Sequence, residues 1–518
     1  MYDVILVNSK SCHNFEYLKI RGVGAHLIAQ QARDLGLTAL VIDFIESWSI
    51  ADFETACRKF VGHNTRVFGF STTWLDTINN PYPDDHIGNY VVNGNYQTMI
   101  DIVKSINSDI NIVAGGKKSL ELYHKLHHSI DHFFDGYSET QFRDYVKQNK
   151  IFSKVIDYDT EALPRDDYDF KYASNIYTPE SFITHRETLA LELSRGCRFK
   201  CKFCSFPLIG RKDSSSYIKD ADTLRAELIY NYENFGVQKY TIQDDTFNDS
   251  LEKVEYFANM IATLPFKVYF WCYLRAEVIV NHPEMIPMLY EMGLTETWFG
   301  IETFTQKAGK NIGKGMDPDR IKSMLWDCKT IWKNRVKVQS GYIVGLPGET
   351  EEDIIGHAEW FKQPDCPVDE VMYNPLGIRP KAITNFLRTR EISDFDRNYD
   401  QYGYYFPMES EFTGSEADLK RLNQFYVWYR HTHDEIPGMI EAMGISKVLN
   451  DNQQPYTQIN NSKLHTNIFQ SSRDDYAIGL SNDKIREIKA KDIKLQSNNV
   501  NTFNSQIKSN YINKLLDL

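Results

Sequence analysis

The stretch RGCRFKCKFC, residues 195–204, decides how the middle of the chain is interpreted. It places three cysteines, Cys197, Cys201 and Cys204, in a CxxxCxxC pattern directly after the apolar run Leu189–Ser194, which we predict to be a strand. A loop this short can wrap three thiolates around one face of a cubane, and iron–sulfur clusters are usually held by four cysteine thiolates. Three close ligands with no fourth nearby predict a 4Fe–4S cluster in which one iron is open to an exogenous ligand.

The alternative for these cysteines is a structural zinc site. Zinc in such sites takes four nitrogen or sulfur ligands, commonly as two ligand pairs. No second Cys/His pair stands near residues 197–204 in the sequence, which argues against zinc. The cysteines Cys272, Cys328 and Cys366 are isolated from this loop and from one another. We expect them to be small buried hydrophobic residues.

Beyond the cysteine loop, helical patterns alternate with apolar runs. Together with the strand before the loop they predict six strand–helix units, hence a partial (β/α)6 barrel with its reactive site at the carboxyl ends of the strands. The predicted strands are Leu189–Ser194, Lys239–Gln243, Val268–Leu274, Thr297–Ile301, Val338–Val344 and Asp369–Tyr373. The predicted helices are Leu224–Phe235 with Thr223 as N-cap, Leu251–Leu264, Glu284–Met292, Pro318–Lys333 with Asp317 as N-cap, and Glu351–Phe361.

The N-terminal third predicts a doubly wound, Rossmann-like α/β domain, because short buried strands alternating with helices imply a parallel sheet. Its ligand crevice is expected beyond the carboxyl ends of the strands. The GxG sequence at Gly22–Gly24 lies too far past the first strand for a dinucleotide loop, and no third glycine follows. The predicted strands are Asp3–Asn8, Thr38–Phe44, Arg66–Thr72, Asn111–Gly116 and Ile130–Asp135, and the predicted helices are Ala25–Leu35, Asp52–Val61, Tyr96–Ile106, Leu120–Leu126 and Thr140–Gln148.

Composition narrows the classes of function. The 518 residues exceed the ~250–300 that one hydrophobic core usually supports, so two or three domains are expected. A net charge of −12 argues against non-specific binding to nucleic acid or to an anionic membrane. No apolar run is long enough for a transmembrane helix, and residues 1–8 are typical of a strand rather than a signal peptide. We therefore expect a cytoplasmic protein, in which a cysteine cluster favours metal binding over disulfides.

Four regions are expected along the chain: residues 1–150, a connector at 151–187, the barrel at 188–390 and a mainly helical C-terminal region at 391–518. In this last region a helix is predicted over Glu416–Thr432, with Ser415 and Asp418 as a capping pair. We expect the region to cap the open side of the barrel. Beyond about Asn450 the composition becomes rich in Asn, Lys, Ser and Gln, which predicts loose helix and a mobile tail.

The cysteine loop, including the aromatic Phe203 before its last cysteine, resembles the radical S-adenosylmethionine (SAM) family. The strand-end segments Gln243–Phe247, Arg275, Gly300–Glu302 and Gly341–Glu349 resemble matching positions of cobalamin-linked members of that family. The resemblance implies that the amino and carboxylate groups of SAM chelate the open iron. It implies a SAM-binding set that comprises Phe203, Asp244, Asp245, Arg275, Glu302, Gly341, Ile343 and Gly345.

Within this resemblance, individual roles follow from the side-chain chemistry. Glu302 would accept hydrogen bonds from a ribose hydroxyl or from the SAM ammonium group, and Arg275 would pair with the SAM carboxylate or with an acid in the barrel. The glycines Gly341 and Gly345 would allow close approach of adenine. The alternative for each residue alone is a salt bridge at the rim of the barrel. We expect Glu349 to cap the following helix, where acidic residues favour the N-terminus.

The N-terminal domain resembles cobalamin-binding domains through three segments, Gly69–Ser71, Ala114–Gly116 and Gly136–Glu139. The resemblance implies cobalamin contacts at Ser71, Thr72, Gly115, Gly116 and Gly136. One feature departs from that family, because its Asp-x-His-x-x-Gly element is missing and His13 lacks the context of a cobalt ligand. We therefore expect cobalamin to bind without a lower protein ligand.

The resemblance implies a radical SAM enzyme that cleaves SAM reductively to methionine and a 5′-deoxyadenosyl radical, most simply as a cobalamin-dependent methyltransferase. A second hypothesis is a radical SAM enzyme whose first domain is vestigial or binds substrate and whose outcome is rearrangement, cyclisation or oxidation. A third is a non-enzymatic iron–sulfur electron carrier or sensor, which leaves the polar strand ends unexplained. A methylthiotransferase is disfavoured, since Cys12 and Cys57 cannot supply a second three-cysteine set.

The partners expected are a small-molecule or peptide substrate and a low-potential electron donor such as flavodoxin or ferredoxin. A membrane is not expected as a partner, and nucleic acid is disfavoured by the net charge. The sequence assigns no individual residue as hydrogen donor or base.

Overall fold

The computed structural model describes residues 1–11, 20–73, 95–117, 119–147, 170–206, 217–333, 335–387, 392–452 and 511–518. Cys12, His13, most of the predicted connector and most of the predicted tail lie outside these ranges. No helix among the described residues is long and apolar enough to cross a bilayer.

The first domain is a five-stranded parallel sheet in the order β2-β1-β3-β4-β5. Each residue of β1 is buried, as expected for a strand covered on both faces. The order reverses between β1 and β3, and doubly wound sheets open their ligand crevice at such a point. The strands are β1 (Val4–Val7), β2 (Ala39–Ile42), β3 (Val67–Ser71), β4 (Asn111–Gly116) and β5 (His132–Asp135), and the helices are α1 (Val23–Arg33), α2 (Ile50–Phe60), α3 (Tyr96–Ile106), α4 (Ser119–Leu126) and α5 (Glu139–Lys147).

The second sheet has six parallel strands in chain order, from β6 at one edge to β11 at the other. This is the predicted partial barrel. The strands are β6 (Thr188–Leu191), β7 (Lys239–Ile242), β8 (Tyr269–Leu274), β9 (Leu294–Glu302), β10 (Lys337–Val344) and β11 (Glu370–Pro375). The helices are α6 (Ala221–Phe235), α7 (Leu251–Ile261), α8 (Ala276–Asn281), α9 (Met285–Met292), α10 (Gln306–Asn311), α11 (Pro318–Trp332) and α12 (Glu351–Phe361).

The C-terminal region follows with short elements and one longer helix. The helices are α13 (Lys381–Leu387), α14 (Asp394–Asn398), α15 (Glu416–Lys420), α16 (Leu422–Phe425), α17 (Met439–Asp451) and α18 (Asn513–Asp517). Helix α17 packs along β11, and the Asn450 amide pairs with the backbone N–H and C=O of Tyr373 at 3.0 and 2.9 Å. An amide thus occupies hydrogen-bonding groups that an edge strand would otherwise leave open.

The structure differs from the prediction at the helix expected over Glu416–Thr432 and at the start of α6. The helix predicted over Glu416–Thr432 breaks into α15 and α16, and Tyr429–Arg430 then pairs antiparallel with Tyr404–Tyr405. The cause is tertiary packing, because the fully buried Trp428 bonds the Leu376 carbonyl at 2.7 Å. Helix α6 begins before the predicted start, since Asp220 rather than Thr223 caps it.

The last described segment, 511–518, docks on the first domain. Tyr511, Ile512 and Leu515 are buried in the core that α2 and β1 share. The Tyr511 hydroxyl accepts from the Asp43 N–H at 2.9 Å, and the Arg21 guanidinium lies 4.9 Å from the centroid of its ring. The chain therefore returns to the domain in which it began, which composition alone does not indicate.

Candidate functional site

The cysteine loop leaves β6 and is fixed on several sides by the barrel. Cys197 is buried, with its thiol 3.4 Å from the Thr246 hydroxyl. The Lys202 N–H donates to Ile312 at 3.1 Å, while the Lys202 carbonyl accepts from Phe395 of the C-terminal region at 3.1 Å. A turn bond from Cys204 to the Cys201 carbonyl, 3.1 Å, brings the last two cysteines close in space.

Burial affects the protonation of two of the loop thiols. It raises the pKa of Cys197 and raises that of Cys204 to about 12, because a thiolate loses its hydration there. A bound metal centre opposes this shift, because its positive charge stabilises a buried thiolate. Among the described residues, no three His, Cys, Asp or Glu side chains converge closely enough to hold a single ion.

Beside the loop, a cavity of about 260 Å³ opens among the carboxyl ends of β9, β10 and β11. Four residues of the predicted SAM-binding set, Phe203, Glu302, Gly341 and Ile343, line it together. The other lining residues are Trp298, Tyr342, Asn374, Pro375, Leu376 and Gly377. Sequence reasoning missed Trp298 and Asn374. Trp298 precedes Glu302 by four residues on β9, and Asn374 lies near the end of the last strand, so the position of each residue on its strand could have indicated it.

Glu302 enters this cavity from a strained position. Its φ is +67°, and the pairing of β9 with β10 shifts register between Gly300 and Glu302. The Lys314 ammonium lies 3.7 Å from the Glu302 carboxylate and also donates to the Gly300 carbonyl. Burial raises the pKa of Glu302 and Lys314 opposes this shift. A non-glycine residue held at positive φ marks a position that its surroundings enforce.

A buried network lies behind Glu302 and was not expected. Glu349 accepts from the hydroxyls of Thr303 and Tyr342 at 2.5 and 2.6 Å, and burial raises its pKa to about 8. The prediction that Glu349 caps α12 is wrong, because Thr350 and Asp353 form the capping box. Instead, Glu349 bonds the residue that follows Glu302.

The neighbours Asp244 and Asp245 have different surroundings. Asp244 is fully buried and accepts from the N–H groups of Leu193 and Ser194 at 2.8 and 2.9 Å, with Lys253 at 3.0 Å. It holds the turn that leads into the cysteine loop and does not line the cavity. Asp245 is half-buried, and burial raises its pKa to about 7 while Lys117 of the first domain opposes that shift.

Arg275 and Gly345 also lie outside the cavity lining. The Arg275 guanidinium donates to the Cys201 sulfur at 3.0 Å. Gly345, at φ +97°, packs under Trp428, and its carbonyl accepts from the Tyr404 hydroxyl at 2.7 Å. A Cβ at Gly345 would lie 2.8 Å from the Trp428 ring, so glycine is required here for packing against the C-terminal region.

The carboxyl ends of the two sheets face each other across the cysteine loop. Arg195, two residues before Cys197, donates to Glu139 of the first domain at 2.5 Å and to Glu192 at 3.0 Å. Its guanidinium also lies 4.1 Å from the centroid of the Tyr137 ring. These four side chains form a cluster of ionic and aromatic contacts that joins the two domains. Further along the interface, the Lys117 ammonium lies 5.0 Å from the Phe206 ring centroid.

The predicted cobalamin contacts lie along this edge of the first domain. Ser71, Gly115 and Gly116 are half-buried, and Gly136 is exposed. Thr72 is fully buried and donates to the Gly115 carbonyl at 3.0 Å, so it supports the edge from below. A Cβ at Gly116, φ +114°, would lie 2.8 Å from the Thr73 hydroxyl, whereas one at Gly136 would meet no atom within 4 Å.

Comparison with known proteins gives a family for the barrel and a fold for the chain. Residues 191–361 match the radical SAM superfamily model. No curated protein sequence matches the chain. Among solved structures, the radical SAM methyltransferase TsrM from Kitasatospora setae, with cobalamin and a [4Fe-4S] cluster bound, superposes with a TM-score of 0.57 at 12% identity, covering 92% of this chain and 100% of that one.

The cobalamin-dependent SAM radical enzyme OxsB gives a similar result. With aqua-cobalamin and SAM bound it has a TM-score of 0.55 at 13% identity, covering 100% of this chain and 80% of that chain. With aqua-cobalamin alone the TM-score is 0.53 at 16% identity, and coverage is 78% of this chain and 56% of that chain. At these identities the likeness establishes the fold.

Proposed function

We propose that this chain, whose residues 191–361 are a radical SAM domain, binds a 4Fe–4S cluster at Cys197, Cys201 and Cys204 and SAM in the adjoining cavity. The observation that carries the proposal is that Phe203, inside the cysteine loop, shares one cavity with Glu302, Gly341 and Ile343. When bound, the cluster supplies the electron for reductive cleavage of SAM, and the protein supplies orientation and exclusion of water.

Each cavity residue suits part of SAM. The Glu302 carboxylate accepts hydrogen bonds from the ammonium group or the ribose hydroxyls. Gly341 has no Cβ, and one there would lie 3.1 Å from the Trp298 indole nitrogen, so glycine keeps this wall open. Phe203 and Ile343 give apolar walls. Asp244 acts through the turn it holds, and Asp245, which is outside the cavity lining, lies close enough to Lys117 of the first domain for their charges to interact.

We further propose that cobalamin binds at the facing edge of the first domain, through Ser71, Gly115, Gly116 and Gly136, with Thr72 fixing the Gly115 carbonyl. In support, the edge consists of small groups with open space at Gly136, and it faces the cysteine loop through Arg195. Cobalamin bound there would lie between the first domain and the SAM cavity. The methyltransferase reaction is the outcome that this arrangement favours.

A substrate then approaches between the two facing edges, and we propose that it is a small molecule or a peptide. A low-potential flavodoxin or ferredoxin is the proposed electron donor. The alternative outcome is a radical reaction without methyl transfer, such as rearrangement, cyclisation or oxidation. The products of SAM distinguish the two outcomes.

The test is anaerobic reconstitution with iron, sulfide, SAM and dithionite, with and without hydroxocobalamin, followed by mass spectrometry of the SAM products. Wild-type protein should hold about four irons and release 5′-deoxyadenosine. Cobalamin-dependent S-adenosylhomocysteine would indicate methyl transfer. Replacing the three loop cysteines by Ala should abolish both the iron and SAM cleavage, while Cys366→Ala, remote in sequence, should retain both. A full complement of iron in the triple variant would exclude the assignment.

A further inference from the structure

The guanidinium of Arg275 is directed at the cysteine loop. One of its nitrogens lies 3.0 Å from the Cys201 sulfur, and the other donates to the Gly313 carbonyl at 3.3 Å. The guanidinium also stacks 3.9 Å from the Phe199 ring centroid. The side chain is only 10% exposed, so these contacts are largely shielded from water. The cavity lining does not include Arg275, so the structure gives it a different neighbour from the SAM carboxylate that the sequence resemblance implies.

The backbone of Arg275 is held in place independently of any ligand. Its N–H donates to the Asn248 side-chain oxygen at 2.7 Å, and its carbonyl accepts from the Asn248 amide at 3.1 Å. Asn248 is fully buried. This pair of bonds fixes the backbone where β8 ends and α8 begins, and the stacking on Phe199 and the bond to the Gly313 carbonyl hold the guanidinium beside Cys201.

The negative charge of Glu277 partly offsets the positive charge of Arg275. The Glu277 carboxylate accepts from the guanidinium at 3.2 Å, and its side chain is 12% exposed. Cys201 therefore contacts a cation whose charge is partly offset by a neighbouring carboxylate. Removing one member of the pair changes the field at the sulfur in the opposite direction from removing the other.

We propose that Arg275 is a positioning residue that raises the reduction potential of the cluster through its bond to Cys201, and that Glu277 limits this effect. The inference rests on the proposed function, because it requires a cluster at the three cysteines. Reduction adds one electron and no proton, which increases negative charge on the ligand sulfurs. A donor at one sulfur stabilises the reduced state more than the oxidised state, and such bonds are known to tune cluster potentials.

The experiment is an anaerobic redox titration of the reconstituted protein without SAM. Dithionite supplies the electron through mediator dyes, and electron paramagnetic resonance measures the reduced cluster. Arg275→Met should shift the reduction equilibrium toward the oxidised cluster by about tenfold, which is about 59 mV for one electron. Glu277→Gln should shift it the other way by a smaller factor, and it leaves every sulfur contact in place. Arg225→Met is the matched control and should not shift it, because Arg225 is a half-buried arginine of α6 that donates to the Thr263 hydroxyl and contacts no cysteine of the loop.

The possible results distinguish failure of this inference from failure of the proposed function. If wild-type protein holds no four-iron cluster, the proposed function fails, and the inference fails with it. If the cluster forms but the two variants shift the potential in the same direction, or neither shifts it, only the inference is overturned. SAM affinity should stay within about threefold in Arg275→Met; a tenfold loss with an unchanged potential would assign Arg275 to SAM instead. If Arg275→Met fails to take up iron, Glu277→Gln and Arg275→Lys still determine the direction in which these charges shift the reduction potential.

Discussion

The two sheets present different chemistry where their carboxyl ends meet. The barrel edge carries Arg195, Asp244, Arg275 and Glu302, and each has a partner of opposite charge within 4 Å: Glu139, Lys253, Glu277 and Lys314. At the first-domain edge the proposed cobalamin contacts are Ser71 and the glycines Gly115, Gly116 and Gly136, which offer backbone groups and small side chains, while the charged Lys117 and Glu139 contact Phe206 and Arg195 of the barrel.

The difference indicates how each edge selects a ligand. Of the four barrel-edge charges, only Glu302 lines the cavity, and a buried carboxylate there favours a ligand with ammonium or hydroxyl donors, such as SAM. Glycines and small hydroxyl residues favour close approach of a large flat ligand, and they provide little charge for it. Removing a charge at the barrel edge should therefore reduce stability or SAM affinity strongly. At the first-domain edge, adding a side chain should reduce cobalamin retention.

The largest effect is expected where the two edges are joined, at Arg195. Arg195→Met leaves the buried carboxylates of Glu139 and Glu192 facing each other without their cation, which should cost about 3–5 kcal/mol of unfolding free energy. Denaturant unfolding measures it. Arg58→Met is the control, because the Arg58 side chain is 62% exposed in its pair with Glu54, and its loss should stay within about 0.5 kcal/mol. Equal losses in the two variants would contradict the interface described above.

The dependence of stability on pH tests whether the buried Glu349 behind the barrel edge is charged. Burial raises the pKa of Glu349 from 4.5 to about 8, so the folded state holds this proton more tightly than the unfolded state. Its contribution to stability is therefore full below pH 4.5 and declines as the pH rises toward 8. Glu349→Gln should remove this decline, on the order of a few kcal/mol, in unfolding midpoints compared at pH 5.5 and 8.5. Replacement of the exposed Glu359 by Gln should leave the dependence of stability on pH as in wild type. The same dependence in Glu349→Gln would show that Glu349 is ionised in the folded protein.

Glu302 tests charge recognition directly. Glu302→Gln keeps the size of the side chain but removes its charge, so SAM affinity should fall by about 10- to 150-fold, equivalent to ~1.5–3 kcal/mol. Iron content should not change, because Glu302 is not one of the three cysteine ligands. Calorimetry with SAM measures the affinity, and the exposed Glu284→Gln should bind as wild type. Unchanged affinity in Glu302→Gln would place the SAM ammonium and ribose elsewhere.

The smallest effect is expected at the first-domain edge. Gly116→Ala places a methyl group 2.8 Å from the Thr73 hydroxyl at φ +114°, and the backbone strain should cost about 1–2 kcal/mol. The methyl group would also project from the proposed corrin surface, so retention of hydroxocobalamin, read from the visible spectrum, should decrease. Gly24→Ala is the control, because α1 leaves open space there. Wild-type retention by Gly116→Ala would remove this glycine from the cobalamin site.

The strands and the cavity could be predicted because their signals are local. Buried apolar runs predicted the eleven strands of the two parallel sheets, and the first-domain strand ends agree within two residues. Glu302, Gly341 and Ile343 were predicted because the strand-end segments that contain them resemble those of cobalamin-linked radical SAM enzymes, and all three line the cavity. Asp244 and Asp245 could not be told apart in this way, since adjacent residues at a strand exit point in different directions that depend on the turn.

The remaining differences arise from tertiary contacts. The composition of 416–432 is helical, yet Trp428 and Tyr404 draw the chain into a small antiparallel pair. Arg275 lies at the predicted strand end, but its direction depends on Asn248 and Cys201, which are far away in sequence. The role of Glu349 depends on Thr303 and Tyr342 from neighbouring strands, which no local pattern reveals.

The docking of Tyr511 on Asp43 has a consequence for synthesis of the protein. The two residues are 468 positions apart, so the first domain waits for its last core residues while the barrel emerges from the ribosome. At roughly 5–20 residues per second this interval lasts roughly 20–100 s. Until then the first domain has an incomplete core, with Phe44 and Trp48 lacking the aromatic ring against which they pack. Nascent chains thus pass through a long period in which that apolar surface is available to chaperones.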